Sequence, residues 1–128
     1  MLALLLAAAL SAPSCANPSI VSATVKSVTT SGALKNYTVA VDVQNRGDVA
    51  QPSDLLMSVD VFQAGARVDQ IGLQPLRPNQ SQTVTYTFHR AAEAGDGTTD
   101  LKFMLDANGR AGNDVDCHAG SELLTLSV

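Results

Sequence analysis

The densest gathering of chemistry-bearing side chains is the run Asp106-Ala107-Asn108-Gly109-Arg110-Ala111-Gly112-Asn113-Asp114-Val115-Asp116-Cys117-His118. Asp106, Asn108, Asp114 and Asp116 offer hard oxygen donors, the type that Ca²⁺ takes, and calcium is the one cofactor the chain suggests. The run lacks the Asp-x-Asp-x-Asp-Gly order and the closing bidentate Glu of an EF-hand loop. Its plainer reading is an Asn-Gly turn in a solvated hairpin. Cys117 and His118 add a thiolate and an imidazole, the usual zinc and copper ligands, but adjacent residues of an extended chain point to opposite faces. No Cys-x-x-Cys or His-x-x-x-His accompanies them. His89 reads as a surface histidine at a strand end. Without a Gly-x-Ser-x-Gly, and with neither histidine in a triad context, the chain is expected not to be an enzyme.

The second chemical question is the fate of Cys15. Residues Met1 to Ala12 read MLALLLAAALSA, too short to cross a bilayer but suited to the core of a secretory signal, although no Lys or Arg precedes the run. Ser14-Cys15-Ala16 fits a small-x-small cleavage site before Asn17, which would discard the cysteine and divide the chain into a signal over 1–16 and a domain over 17–128. Cleavage near Ala9 or Ala12 would keep it. Cys15 also stands as a candidate for lipid anchoring, although Leu is missing three residues before it and Pro13 is present. The chain is thus expected to be exported, to the periplasm or beyond, with no transmembrane segment once the signal is removed.

Composition narrows the partners. A formal charge of -4 with only eight Lys and Arg argues against a nucleic-acid backbone. No Trp, two Tyr and three Phe leave little to stack sugar rings, so a lectin is disfavoured. Asn36-Tyr37-Thr38 and Asn79-Gln80-Ser81 satisfy the glycosylation sequon, a short pattern that matters only in a glycosylating host.

The elements that must position these groups are strands. Tyr37, Val39, Val41 and Val43 alternate with Thr38, Ala40, Asp42 and Gln44, the period of a half-buried strand, and Asn45-Arg46-Gly47 stops it. The same period predicts strands over Ile20 to Val28 (Val21, Ala23, Val25 inward), Leu55 to Gln63 (Leu55, Met57, Val59, Val61 inward) and Arg67 to Leu73 (Ile71, Leu73 inward). It continues over Gln80 to Phe88 (Val84, Tyr86, Phe88 inward), Asp100 to Asp106 (Leu101, Phe103, Leu105 inward) and Glu122 to Val128 (Leu124, Leu126, Val128 inward). Thr83, Thr85 and Thr87 form a polar face suited to water. Gln63-Ala64-Gly65-Ala66 reads as a hairpin turn, and Arg90 to Ala94 as a single helical turn. Seven strands at this spacing make an all-β sandwich of one domain.

Three segments in order, Asn45-Arg46-Gly47-Asp48-Val49-Ala50, then Val59-Asp60-Val61, then Leu76-Arg77-Pro78-Asn79-Gln80-Ser81 leading into Val84 to Phe88, resemble the CARDB family, the cell-adhesion-related domain of bacterial surface and secreted proteins. The resemblance covers roughly residues 19 to 128 and departs in the last hairpin, which here is longer, glycine-rich and carries Cys117. Mechanically, Asn-x-Gly is expected to supply a positive φ at the strand end, and Leu-x-Pro to bury a side chain and stiffen the crossover between sheets. The resemblance implies an immunoglobulin-like sandwich serving as a binding or spacer module, without an established common ligand. The chain is read as a non-enzymatic exported binding or adhesion module whose partner is a protein or a surface polymer. The other classes left open are a metal-dependent Ca²⁺ module using the Asp106 to Asp116 loop and a periplasmic inhibitor or assembly factor acting by edge-strand pairing. If first and last strands pair in parallel, as the outer edges of such sandwiches often do, Cys15 and Cys117 start at one end of the domain and can form a disulfide. Closing that loop would stabilise the fold by about 4–5 kcal/mol. On this reading Tyr37 to Gln44 is scaffold, and function is expected in the loop from Asp106 to His118.

Overall fold

The computed structural model describes residues 15–54, 56–94, 99–108 and 123–128. Seven strands follow one another: β1 (Pro18–Ser31), β2 (Leu34–Asn45), β3 (Leu56–Gln63), β4 (Ala66–Leu73), β5 (Ser81–Ala91), β6 (Asp100–Asn108) and β7 (Leu123–Ser127). They form two antiparallel sheets, in the orders β1-β2-β5 and β4-β3-β6-β7. The all-β sandwich expected from the periodicity is the fold. The two-residue turn at Ala64 and Gly65, both at positive φ, closes the ladder at Gln63 opposite Ala66 and so seats β4 beside β3.

The alternation places Tyr37, Val39, Val41 and Val43 of β2 against Met57, Val59 and Val61 of β3 and Leu101 and Phe103 of β6, all buried. Leu73, Leu76, Val84, Phe88 and Val128 complete the same core, with Tyr86, Leu105, Leu124 and Leu126 partly buried against it. Burial of this apolar set is the main drive to close the two sheets.

β1 departs from the expected facing. Its register with β2 shifts between Ile20 and Ser22 and again between Val25 and Ser27, so Val21 and Lys26 are extra residues. Each bulge inverts the faces of the residues C-terminal to it. Ile20 and Ala23 therefore face the core, while Val21 is 40% exposed. Val25 lies opposite Val39 as expected but stays 39% exposed on this edge strand. Arg90 and Ala91 also differ from expectation, since both continue β5 and the turn begins only after them, closed by Ala94 N–H to the Ala91 carbonyl.

Each end of the sandwich is tied by one buried polar side chain. At the end where β2 stops, Asn45 is fully buried and its amide makes all four bonds it can make. Its Oδ1 accepts from Asn17 N–H and Gly47 N–H, each at 2.9 Å, and its Nδ2 donates to the Val49 and Leu76 carbonyls at 2.9 and 3.1 Å. Gln51 binds the same crossover through Leu76 N–H, and Leu76 is 1% exposed, which is the burial that Leu-x-Pro predicts.

Gly47 does not have the positive φ expected of it; among the described glycines that conformation belongs to Gly32 and Gly65. Its reason is proximity. A Cβ on Gly47 would lie 2.1 Å from the Cys15 carbonyl oxygen and 2.7 Å from the Asn17 nitrogen. At the other end Arg90, buried, donates to Tyr37 Oη, Thr99 Oγ1 and the Val128 carbonyl. Its guanidinium lies 5.2 Å from both the Tyr37 and Phe88 ring centroids, within cation–π range.

Candidate binding face on the four-stranded sheet

The residues singled out by sequence are not brought together within the described structure. Asp106 lies on β6, directly opposite Ser58 of β3, and Asn108 ends β6 opposite Leu56. Asp114, Asp116, Cys117 and His118 lie outside the described residues, so the loop of Asp106 to His118 is represented here only by its first strand-borne members. Among the described residues no three His, Cys, Asp or Glu side chains gather to hold a metal. His89 is exposed at the end of β5, and its Nδ1 donates to Asn36 Oδ1 across the strand pair.

Cys15 leads into β1, with its N–H bonded to Asp48 Oδ1 at 3.2 Å. The parallel pairing of first and last strands does not occur in either sheet: β1 pairs with β2 and β7 with β6. The two bulges bend β1 along β2, and the ladder on β6 holds β7 in the opposite sheet.

The outward faces of the two sheets have different chemistry. On the three-stranded sheet, cross-strand rows are hydroxyl-rich: Ser22, Asp42 and Thr83 form one row, Thr24, Ala40 and Thr85 the next, Ser27, Thr38 and Thr87 another. Asp42 accepts from both Ser22 Oγ and Thr83 Oγ1, so the charge on this face is satisfied internally. The hydroxyl rows themselves are even, and the exposed apolar side chains of this sheet, Val21, Val25, Val28 and Leu34, lie on β1 and at the start of β2.

The four-stranded sheet is uneven. Leu56, Ser58, Asp60 and Phe62 alternate outward along β3, with Gly72, Gln70 and Arg67 of β4 and Asp106, Met104 and Lys102 of β6 as their cross-strand partners. Asp60 is only 5% exposed despite facing outward. Ser58 Oγ donates to its Oδ1 at 2.7 Å, Arg67 pairs with its Oδ2 at 3.5 Å, and Gln70 Nε2 donates to Ser58 Oγ at 3.2 Å. This chain of bonds fixes side chains that would otherwise move, which makes a pre-ordered polar floor.

Next to it the surface dips. Gly72 faces Ser58, two positions with almost no side chain, and the concavity of about 330 Å³ that results is lined by Leu56, Met57, Ser58, Gln70, Gly72 and Leu73. Leu56 stands at its rim 68% exposed; Met104 and Leu123, opposite each other, are also exposed on this face, in the row of Asp60 beyond Ser58 and Asp106. A rigid polar floor under exposed apolar side chains is what small recognition sites are built from.

Among the described residues Gly72 has no internal reason to be glycine. Its φ is not positive, and a Cβ built on it meets none of their atoms within 4 Å. A glycine inside a strand costs stability relative to alanine and often marks a place that another group approaches. Gly72 is not among the residues singled out by sequence, although an isolated Gly inside a strand pattern is the available signal. Asp60 was read only within the Val59-Asp60-Val61 segment, and its burial gave no signal because it depends on neighbours from β4 that only the fold supplies.

One titrating group belongs to the neighbouring flank, where β4 of one sheet meets β5 of the other. The Tyr86 phenol is pushed above its ordinary value of 10.0, first by burial and secondly by the nearby Asp69 carboxylate on β4. No family model matches this chain, and no curated protein matches it either.

Proposed function

We propose that the chain is an exported, non-enzymatic binding module of the immunoglobulin-like, CARDB-like kind, and that it holds a protein or surface-polymer partner on the outer face of β3 and β4. The observation that carries this reading is Gly72. It leaves an open concavity beside the exposed Leu56, and nothing among the described residues requires its side chain to be missing. The CARDB-like reading gains support from the convergence of two of its three motif segments, since Asn45 Nδ2 bonds the Leu76 carbonyl.

The test compares envelope extract retained by immobilised wild type, Leu56→Ser and Gly72→Thr, with soluble protein and polymer fractions assayed separately. Both substitutions are at exposed positions and leave folding within about 0.5 kcal/mol or improve it. A specific ligand retained by wild type and lost on both variants is expected. A ligand retained equally by all three excludes this face.

Export is proposed with a signal that ends no later than Ser14. Residues 15–17 are integral to the domain: Ala16 is fully buried, Arg46 N–H bonds the Asn17 carbonyl at 2.8 Å, and Gly47 accommodates the segment. Cys15 is then retained, and we propose that it joins Cys117, two thiols giving one disulfide while the electrons and protons pass to an oxidised dithiol of the exporting compartment by exchange. Intact mass of the exported protein is expected to show Cys15 present and both cysteines oxidised. A chain beginning at Asn17, or two titratable thiols, overturns this.

A further inference from the structure

We infer that β4 is a docking edge for an extended segment of a partner protein, which adds to the four-stranded sheet as an antiparallel fifth strand, lays an aromatic side chain over Gly72 and brings a Lys or Arg to Asp69. The inference rests on the β3–β4 face being the binding surface and deepens it by naming the occupant.

The first ground is hydrogen bonding. β4 is the terminal strand of its sheet, paired with β3 on one side only, so alternate N–H and C=O groups of its straight segment Asp69 to Leu73 point away from the sheet. An added strand satisfies them, and the antiparallel form is the more favourable per residue.

The second ground is a comparison of the four edges. β1 is interrupted by two bulges, one of them at Lys26, and β7, which spans five residues like the straight run of β4, has no glycine. β5 is regular over eleven residues, but its exposed positions include Ser81, Thr83, Thr85, Thr87 and His89, again with no glycine for an added side chain to cover. β4 has its single bulge at Val68, and beyond it a straight run that ends at the concavity.

The third ground is side-chain complementarity. Adjacent strands lie about 4.8 Å apart, so a ring carried opposite Gly72 passes over the glycine and reaches Ser58 and the rim at Leu56. A cross-strand aromatic covering an edge glycine is a known way to restore the burial that glycine forgoes. Arg67 is already engaged by Asp60, whereas Asp69 is exposed on the same edge; its Oδ1 accepts from Gln70 N–H at 2.8 Å, and its Oδ2 faces a cation on the added strand. On an antiparallel partner, the residues opposite Gly72 and Asp69 are three apart, in the order aromatic-x-x-Lys/Arg.

The probe is the synthetic peptide Ac-Ser-Thr-Phe-Thr-Val-Lys-Thr-Ser-NH₂, titrated into the ¹⁵N-labelled full domain. Amide shifts centred on Asp69 to Leu73, with slowed hydrogen exchange there, are expected. Replacing the peptide's Phe by Ala, N-methylating its backbone on the pairing side, or using Gly72→Thr should each weaken binding by roughly tenfold or more. Gly72→Thr should melt no lower than wild type, so its loss of binding is not a loss of fold. Absence of binding, shifts centred on β1 or β5, or binding unchanged by N-methylation or by Gly72→Thr overturns strand addition. The face itself is judged separately by the retention comparison with Leu56→Ser, which involves no peptide.

Discussion

Gly47 and Gly72 both withhold a side chain at a strand or its end, and their surroundings are opposites. Around Gly47 the chain's own residues 15–17 occupy the space, with the Cys15 carbonyl 2.1 Å from where a Cβ would sit; around Gly72 none of the described residues lies within 4 Å of that point. The first glycine belongs to a knot in which the fully buried Asn45 amide bonds four backbone groups, from the start of β1, the turn after β2 and the crossover. The second belongs to an edge where an exposed leucine and an ordered Ser58–Asp60–Arg67 network face solvent. The contrast separates a glycine kept for folding from one whose cost is unexplained until an outside group is placed on it.

The largest expected effect comes from cutting the knot. Asn45→Ala leaves the Asn17 and Gly47 N–H groups and the Val49 and Leu76 carbonyls without the amide they share; Leu76 is buried, and Asn17, Gly47 and Val49 are half-buried. Unmade buried hydrogen bonds cost about 1–3 kcal/mol each, and some will find substitutes, so a loss of about 3–5 kcal/mol is expected in urea unfolding. An exchange with a loss below about 1 kcal/mol would show that water replaces Asn45 readily and that the knot is not what ties β2, the start of β1 and the crossover together.

Next come the two glycines as a pair. Gly47→Ala forces the 15–17 segment outward and should cost about 1–3 kcal/mol, the range of an overpacked interior site. Gly72→Ala should instead raise stability by about 0.5–1 kcal/mol, because alanine restricts the unfolded chain and meets no obstacle in the fold. Thermal melts of the two variants give the sign directly. The same sign at both positions would remove the distinction on which the binding face depends.

Much of this scaffold is legible in the residues. The Val39-Val41-Val43 and Val59-Val61 alternations, the Thr83-Thr85-Thr87 outer face and the Ala64-Gly65 turn are local patterns, and the local pattern decides face and turn wherever a ladder is regular. Val21 shows where this stops: a bulge inserts one residue, so every facing after it depends on a partner strand that the sequence does not reveal. Arg90 was readable only as helical-turn material, since its burial requires Tyr37, Thr99 and Val128, which are remote in sequence. The β3–β4 site was hidden for the same reason. Acidic, metal-like residues draw the eye to the run from Asp106 to Asp116, whereas Gly72 and Leu56 acquire meaning only when adjacent strands set one beside Ser58 and leave the other uncovered.

The smallest effect distinguishes the two regions by pH. Asn45 and Gln51, the polar side chains that organise the knot, are amides and do not titrate, whereas the open flank carries the Tyr86 phenol with Asp69 near it. Because the folded protein holds that phenol above 10.0, chiefly by burial and secondarily through the Asp69 charge, the unfolded chain ionises first as pH rises. The unfolded state then binds fewer protons than the folded one. The stabilisation tied to Tyr86 is therefore complete below pH 10.0 and is lost as the pH climbs from there through the raised folded value. Tyr86→Phe should flatten the alkaline decline of the denaturation midpoint measured above pH 10, and Asp69→Asn should flatten it less, since its charge is the smaller cause. If Asp69→Asn has the larger effect, the carboxylate governs the phenol, and the flank is an electrostatic pair more than a buried one. A cationic strand docked on β4 would then lower the Tyr86 pKa on binding, which ultraviolet titration of the phenol reads with and without the peptide.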